Sequence, residues 1–190
     1  IIFIKKKKVI MNQKKNTYIP KMTNAGIKGS YPVSVMDENG EIRETLITGE
    51  RPLIIYVDKL EIVTLMTLGK NPELLVIGYL RNQGFIKNIE EIKEIQVDWD
   101  VDSAVVVTKK GTKEWKEKLK KRTVTSGCGQ GTIFGNMMDN IENIKLNIPN
   151  LVQSSFYRLL HNIRTFNEVY KKSGAVHGCA LCKNEDIQIF

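Results

Sequence analysis

Leu53-Ile-Ile-Tyr-Val57 opens the stretch that decides the fold, and Asp58-Lys59 separates it from Leu60-Glu-Ile-Val-Thr-Leu-Met66. Two runs of β-branched and other apolar residues around a two-residue polar break are typical of a β-hairpin with a tight turn. Asn71-Pro72-Glu73 then supplies an N-cap residue, a proline suited to the first helical position and an early acid. The sequence therefore predicts a hairpin followed by a helix that stops at Gly84, because glycine is favoured just after a helix C-terminus.

Further along the chain, three segments carry the signals of regular structure. Two strands are predicted at Ile92–Trp99 and Ser103–Thr108. Apolar residues from Val152 to Tyr170 recur at steps of three and four, which predicts one amphipathic helix of about five turns. We expect that helix to end at Ser173-Gly174.

Small residues dominate the segment that follows. Ala175–Cys182 predicts a strand of small side chains, and a turn leads from it to a second strand at Ile187–Phe190. With strands and helices both present, we predict an α/β (α+β) fold. We divide the chain into a mobile basic arm over residues 1–30, a β-rich N-terminal portion over residues 31–110, and a second domain over residues 111–190.

Composition places the chain among ordinary globular proteins. It has 190 residues, of which 42% are hydrophobic and 26% are charged. No stretch approaches the roughly 18 uninterrupted apolar residues of a membrane span. The first residues lack the order of a secretory signal, because the lysines follow the apolar residues. Three cysteines without an export signal favour the reducing cytoplasm. We predict a cytoplasmic protein without membrane association.

The charge of the chain favours an anionic partner. The formal net charge is +8, and without Lys5–Lys8 it is +4 (8 − 4). Met11 is the more usual start, so we expect residues 1–10 to lie upstream of the natural protein. The remaining excess suits a phosphate-bearing cofactor. The sequence lacks the interleaved aromatic and basic residues that are typical of proteins that bind single-stranded nucleic acid. We therefore predict no nucleic-acid partner.

Cys128 is the most informative residue for chemistry. It stands in the run Thr125-Ser-Gly-Cys-Gly-Gln-Gly-Thr132, where Gly127, Gly129 and Gly131 surround one thiol. Glycines let the backbone take unusual dihedral angles and approach a ligand closely. A thiol used in covalent chemistry has to be accessible and able to ionise. One interpretation is a reactive cysteine on a loop, and the other is a glycine-rich turn that happens to contain a cysteine.

The second candidate site lies between Ser173 and Cys182. His177 follows a glycine break at the start of a predicted strand, where α/β proteins commonly place ligand-contacting groups. The alternative is a histidine bonded to a backbone carbonyl. Cys179 and Cys182 have metal-ligand spacing, but on a strand their side chains point to opposite faces. We therefore favour two ordinary buried thiols over a zinc site.

Several ordered blocks of this sequence resemble one known family. The loop over Thr125–Gly131 resembles the reactive-cysteine motif of the FdhD family, sulfur carriers required for formate dehydrogenase activity, and Ser173–Leu181 resembles its Gly-Gly-Val-His-Ala-Ala-Ala-Leu block. The resemblance covers roughly residues 48–190. The blocks that resemble the N-terminal part of the family are Glu50-Arg-Pro-Leu53, Leu65-Met-Thr67, Pro72-Glu-Leu74, Gly78-Tyr-Leu80 and Gly84-Phe-Ile86.

Two departures from the family pattern stand out. Many members carry Cys-x-x-Cys in the loop, whereas Gly131 occupies the second cysteine position here and leaves Cys128 as the sole loop thiol. The family also continues past a Glu-Asp-x-Gly-Arg-His-Asn block into a portion that holds a guanine dinucleotide. Neither is found before Phe190, so we expect a chain truncated at its C-terminus.

The resemblance implies a fold and a function. The fold is a cytidine-deaminase-like three-layer domain, incomplete over residues 111–190, preceded by the β-rich portion. The function is a sulfurtransferase that takes persulfide sulfur from a cysteine desulfurase onto Cys128 and passes it to bis-molybdopterin guanine dinucleotide, the molybdenum cofactor of formate dehydrogenase. Its cofactor contacts would come from Gly127, Gly129, Gly131, Gly174 and His177.

Further partners and the absence of a metal follow from the same resemblance. We expect contact with the formate dehydrogenase catalytic subunit, a homodimer, and no tightly bound metal. Deaminase chemistry is not expected, because Cys179 stands where the general acid/base glutamate of His-x-Glu would be. The alternative is a zinc- or nucleotide-binding α/β module that uses Cys128, His177, Cys179 and Cys182 without transfer chemistry.

Overall fold

The computed structural model describes residues 18–112, Trp115, Leu119, 122–124, 132–134, Lys145 and 151–190. None of the helices in these ranges is long and apolar enough to cross a membrane. The strands are β1 (Lys21–Met22), β2 (Ser30–Met36), β3 (Ile42–Thr48), β4 (Arg51–Val57), β5 (Leu60–Thr67), β6 (Ile92–Asp98), β7 (Ser103–Thr108), β8 (Arg122–Val124), β9 (Thr132–Phe134), β10 (Leu181–Lys183) and β11 (Asp186–Ile189). The helices are α1 (Pro72–Asn82), α2 (Gln153–Phe166) and α3 (Glu168–Ser173), with a 3-10 turn at Ile89–Glu91.

A mixed sheet forms the centre of the protein, in the order β1-β6-β7-β4-β5. β4 runs antiparallel to β5 and parallel to β7, while β6 runs antiparallel to β7 and parallel to β1. Alternation along β4 turns Leu53, Ile55 and Val57 to one face, where all three are 0% exposed. α1 contacts β6 and β7 and buries Val76 and Leu80, which are one helical turn apart. The predicted mixture of strands and helices is confirmed.

The hairpin predicted around Asp58-Lys59 is confirmed. Both turn residues have positive φ, 45° at Asp58 and 72° at Lys59, as a two-residue turn matched to the twist of its strands requires. The Asp58 carboxylate accepts hydrogen bonds from the backbone N–H and the hydroxyl of Thr108. The turn is therefore fixed from outside the hairpin, by the end of β7.

The predicted bounds of α1 are also confirmed. The helix begins at Pro72, although the side chain of Asn71 makes no capping bond. At the other end Gly84 has φ +68°, the Phe85 N–H donates to the Leu80 carbonyl at 2.9 Å, and the Gly84 N–H donates to the Arg81 carbonyl at 3.2 Å. This pair of bonds is a Schellman motif, in which glycine avoids the steric cost of the left-handed backbone.

Residues 18–27, which we call the N-terminal strap, differ from the predicted mobile arm. β1 lies in this strap and pairs with β6 at the edge of the sheet. The Thr23 hydroxyl donates to Glu73 Oε1 at 2.9 Å and accepts from the Val97 N–H at 3.0 Å. The Ala25 N–H donates to the same Glu73 oxygen at 2.7 Å. Composition could not show this attachment because its partners are 48 to 74 residues away. Residues 1–17 of the predicted arm lie outside the described residues.

The single long helix predicted up to Tyr170 is wrong, because the chain forms α2 and α3 with a break at Asn167. Asn167 Oδ1 accepts a hydrogen bond from the Tyr170 N–H at 3.0 Å. An asparagine side chain that binds a backbone N–H three residues ahead starts a new helix, and this competes with continuation of the old one.

The strand predicted at Ala175–Cys182 is wrong for most of its length. Only Leu181–Lys183 forms a strand, β10, which pairs antiparallel with β11 and confirms the second predicted strand. Positive φ at Gly174 (62°) and Ala175 (50°) turns the chain after α3. Cys179 therefore lies outside a strand, and the alternation used to place Cys179 and Cys182 on opposite faces does not apply.

The buried carboxylate of Glu73 provides a test of the strap. Glu73 is 5% exposed, and Glu73→Ala would leave the Thr23 hydroxyl and the Ala25 N–H without their acceptor. We expect a loss of about 1–3 kcal/mol in the free energy of unfolding, measured by urea denaturation. Glu90→Ala, at an exposed glutamate, is the control and should change stability by less than about 0.5 kcal/mol. Equal effects of the two substitutions would contradict this role for Glu73.

Candidate functional site

The Cys128 loop is framed by a short hairpin. β8 pairs antiparallel with β9, and the last paired residues are Val124 and Thr132. Opposing residues of an antiparallel pair have Cα atoms about 4.5–5.5 Å apart, so the two ends of the loop are held close together. Cys128 is the midpoint of the connection 125–131, three residues from each end. Cys128, Gly127, Gly129 and Gly131 themselves lie outside the described residues.

Gly174 fixes the start of the second candidate segment. It follows α3, and its N–H donates to the Tyr170 carbonyl at 2.9 Å. Its dihedral angles, φ 62° and ψ −163°, lie in a region that is essentially restricted to glycine. His177 follows in an exposed position. The chain thus leaves α3 in a direction that only glycine allows, and it presents the histidine to solvent.

Gly178 is a residue whose packing role the sequence did not indicate. A Cβ atom at this position would lie 3.0 Å from Asn167 Nδ2 and 3.0 Å from Phe190 Cζ. Phe190 in turn lies against Phe166, with ring centroids 6.2 Å apart. The backbone beside His177 is therefore packed between the break in the helices and the last residue of the chain. In the sequence, only the position of Gly178 next to His177 pointed to this residue.

One ion pair connects α2 to the β10–β11 turn. Arg158 Nε donates to Glu185 Oε2 at 2.7 Å, and Arg158 Nη2 donates to Glu185 Oε1 at 2.5 Å. These hydrogen bonds, with a smaller contribution from Ser155, lower the pKa of Glu185 to about 2. The bidentate geometry orients the turn relative to the helix. The sequence could not indicate this pair, since 27 residues separate its members.

The two described cysteines are free thiols. The prediction that both are buried is wrong, because Cys179 is exposed and Cys182 is half-buried. Cys182 lies in β10, whereas Cys179 shares with His177 the irregular segment before that strand. Within the described part of the chain, no group of three histidine, cysteine or acidic side chains is placed to hold a metal ion.

Comparison with known proteins identifies relatives over the same region. Residues 48–190 match the model of the FdhD/NarQ family. The sulfur carrier protein FdhD of Bacillus licheniformis is 29% identical over 154 residues, which cover 79% of this chain and 58% of the relative. The sulfur carrier protein FdhD of Listeria monocytogenes is 27% identical over 147 residues, which cover 76% of this chain and 56% of the relative.

A solved structure supports the fold. The crystal structure of a protein named as a formate dehydrogenase accessory protein, from Desulfotalea psychrophila, superposes with a TM-score of 0.52 at 22% identity, covering 84% of this chain and 59% of that chain. This chain therefore spans little more than half the length of these relatives. The resemblance seen in the sequence is confirmed, while the cytidine-deaminase-like arrangement stays a prediction. Because the match extends over residues 48–190, the chain belongs to the FdhD/NarQ family.

Proposed function

We propose that this protein is a sulfur carrier that accepts sulfur as a persulfide on Cys128 and delivers it during maturation of a formate dehydrogenase. The observation that carries the proposal is the β8–β9 pairing, which closes the loop around Cys128 in a chain of this family. Relatives named sulfur carrier protein FdhD support the same class of chemistry.

The first step is an exchange at sulfur. The Cys128 thiolate attacks the outer sulfur of a persulfide held by a cysteine desulfurase. The sulfur–sulfur bond of the donor breaks, the donor cysteine leaves as a thiolate, and a persulfide forms on Cys128. In the second step the sulfur–sulfur bond of the Cys128 persulfide would break and Cys128 would leave as a thiolate. The outer sulfur would pass as sulfide to the molybdenum of bis-molybdopterin guanine dinucleotide, which is a substrate of this protein and would supply the two electrons, before the cofactor enters the formate dehydrogenase catalytic subunit.

The sequence before the loop supplies cations that would favour the thiolate. Lys120, Lys121 and Arg122 precede the loop, and Arg122 is the first residue of β8. Nearby cations and backbone N–H groups lower the pKa of a cysteine and raise the fraction that can attack a donor. With Gly131 at the second cysteine position of the family motif, the mechanism uses one thiol.

The segment after α3 is the candidate contact for the guanine-dinucleotide cofactor. Gly174 gives this segment its direction, and His177 is exposed on it. An exposed imidazole can donate a hydrogen bond to a phosphate or a base. Together with Gly127, Gly129 and Gly131 these residues form the proposed binding set. The protein acts in the cytoplasm as a homodimer.

Cys128 is the only cysteine expected to be essential for sulfur acceptance. After incubation with a cysteine desulfurase and free cysteine, intact-mass measurement should show a gain of one sulfur atom on the wild-type protein. Cys128→Ala and Cys128→Ser should abolish that gain, because the attacking thiolate is absent. The matched control is Cys179→Ala/Cys182→Ala, which should retain it.

The opposite pattern, with loss of loading in the Cys179→Ala/Cys182→Ala variant alone, would show that Cys128 is not the carrier. Metal analysis of the same preparations tests the alternative. Stoichiometric zinc without any gain of sulfur would favour a zinc-binding module.

The loop glycines are expected to serve mobility. Substituting Gly127, Gly129 and Gly131 together with alanine should slow sulfur loading, since alanine resists backbone conformations with positive φ. The melting temperature should stay nearly unchanged, because a surface loop contributes little to the core. Gly78→Ala is the matched control, and it should leave the loading rate unchanged because Gly78 lies in α1 and an added Cβ would meet no neighbouring atom. A large loss of stability with normal loading kinetics would instead assign the loop glycines a structural role.

A further inference from the structure

A cleft lies between the N-terminal strap and the start of α1. Its volume is about 270 Å³, below the range of about 300–1,000 Å³ that is typical of sites for drug-sized ligands, so it suits a smaller molecule. The strap residues Met22, Asn24 and Gly26 form one wall, and the residues around the first turn of α1 form the other. None of the described residues that line the cleft belongs to the set proposed for sulfur transfer or cofactor contact.

Backbone contacts hold the two walls of the cleft together. A Cβ atom at Gly26 would lie 2.6 Å from the Lys70 carbonyl oxygen, so only glycine allows the strap to come this close to the loop before α1. The next residue, Ile27, donates its N–H to the Gly69 carbonyl at 2.9 Å. The width of the cleft is therefore set by the backbone on both sides.

The carboxylate of Glu73 is the observation that carries the inference. Glu73 is 5% exposed, and its Oε1 accepts from the Thr23 hydroxyl and the Ala25 N–H. Within the described part of the chain, Oε2 accepts no hydrogen bond and no cation pairs with this carboxylate. No side-chain oxygen of the described residues is both buried and unpaired, so Oε2 is reached from the cleft that Glu73 lines. A carboxylate with so little water around it gains from a cationic partner.

Positive groups line the same cleft. Lys70 is exposed there, just before α1. The first helical bond of α1 runs from the Leu75 N–H to the Asn71 carbonyl at 3.1 Å. The N–H groups of Glu73 and Leu74 therefore have no acceptor within the helix, and the side chain of Asn71 makes no capping bond to them. Together with the lysine, these donors favour an anionic group beside the carboxylate.

We propose that this cleft binds a free α-amino acid with a short aliphatic side chain. The ammonium group of the ligand donates to Glu73 Oε2, and the ligand carboxylate accepts from the N–H groups at the start of α1, beside Lys70. Met22 and Leu74 supply apolar surface for the short side chain. A simple anion is repelled by Glu73, and a simple cation leaves the donors unused, so a ligand with both charges fits the cleft best. The site is independent of sulfur acceptance on Cys128.

A series of truncated ligands tests the two charged contacts on the whole wild-type chain by isothermal titration calorimetry. L-alanine carries both charges, propionate lacks the ammonium group, and ethylamine lacks the carboxylate. We expect saturable binding of L-alanine, and binding of each truncated compound that is weaker by about tenfold or more, because each loses a charge-assisted hydrogen bond. Absence of saturable L-alanine binding, or equal binding of either truncated compound, overturns the inference.

Variants assign the contacts to residues. Glu73→Gln keeps an oxygen that can accept from the strap but replaces the charged Oε2 by an amide nitrogen, so L-alanine should bind about tenfold or more weakly. Lys70→Gln should weaken binding by about two- to fivefold, because an exposed cation contributes less. The matched controls are Glu90→Gln and Lys110→Gln, at exposed residues that do not line the cleft, and both should bind as the wild type does. Unchanged binding in Glu73→Gln overturns the inference.

Amide NMR spectra of the wild-type protein locate the site without any substitution, in case Glu73→Gln disturbs the strap. During titration with L-alanine, the amide signals of Ala25, Glu73 and Leu74 should shift progressively, whereas that of Val105 on β7 should not. Shifts that leave these three signals unchanged overturn the inference. Sulfur loading on Cys128, measured by mass, decides the proposed function separately.

Discussion

The position of β4 between two strands of opposite direction is the constraint on which the rest of the structure depends. β5 follows β4 through a tight turn and is therefore antiparallel, whereas β7 is parallel to β4 and has to be reached through α1 and β6. Burying one face of β4 under this crossover removes large side chains from water, and each of them stabilises the fold by about 1.5–3 kcal/mol. The Asp58 carboxylate, which accepts from the Thr108 N–H at 2.9 Å, aligns the hairpin turn with the end of β7.

Polar groups complete this core at the side opposite the hairpin turn. Glu73 is a buried carboxylate in the first turn of α1, where negative charge is favoured by the helix dipole. Its two donors come from the N-terminal strap, so the strap and the helix satisfy each other's polar groups. The Trp99 indole, directly after β6, donates to the Ala25 carbonyl at 2.6 Å and adds a further bond between the strap and the sheet. The strap thus belongs to the folded structure even though it precedes the region that matches the family.

The parts of the fold that could be predicted from the sequence depend on neighbouring residues. The Asp58-Lys59 turn and the stop at Gly84 follow from local backbone chemistry, and both are present. Three features could not be predicted, because each depends on a contact or a backbone angle that the residue type does not determine. They are the attachment of Thr23, the helix break at Asn167 and the irregular path after Ala175. For the site, the glycine setting of Cys128 and the resemblance identified the family, whereas Gly178 and Arg158–Glu185 emerged only from packing.

Stability is distributed unevenly between the sheet and the segment that carries His177. One face of the central sheet is buried, with Leu53, Ile55 and Val57 at 0% exposure, but no residue within 151–190 is buried. In that range α2 keeps its contact with the β10–β11 turn through Arg158 and Glu185, whose side chains are 56% and 37% exposed. Ion pairs at such exposure contribute at most about 1 kcal/mol, so this part opens more easily than the sheet. In the proposed function, a contact segment that opens more easily than the sheet would adjust to successive partners while the sheet preserves the fold.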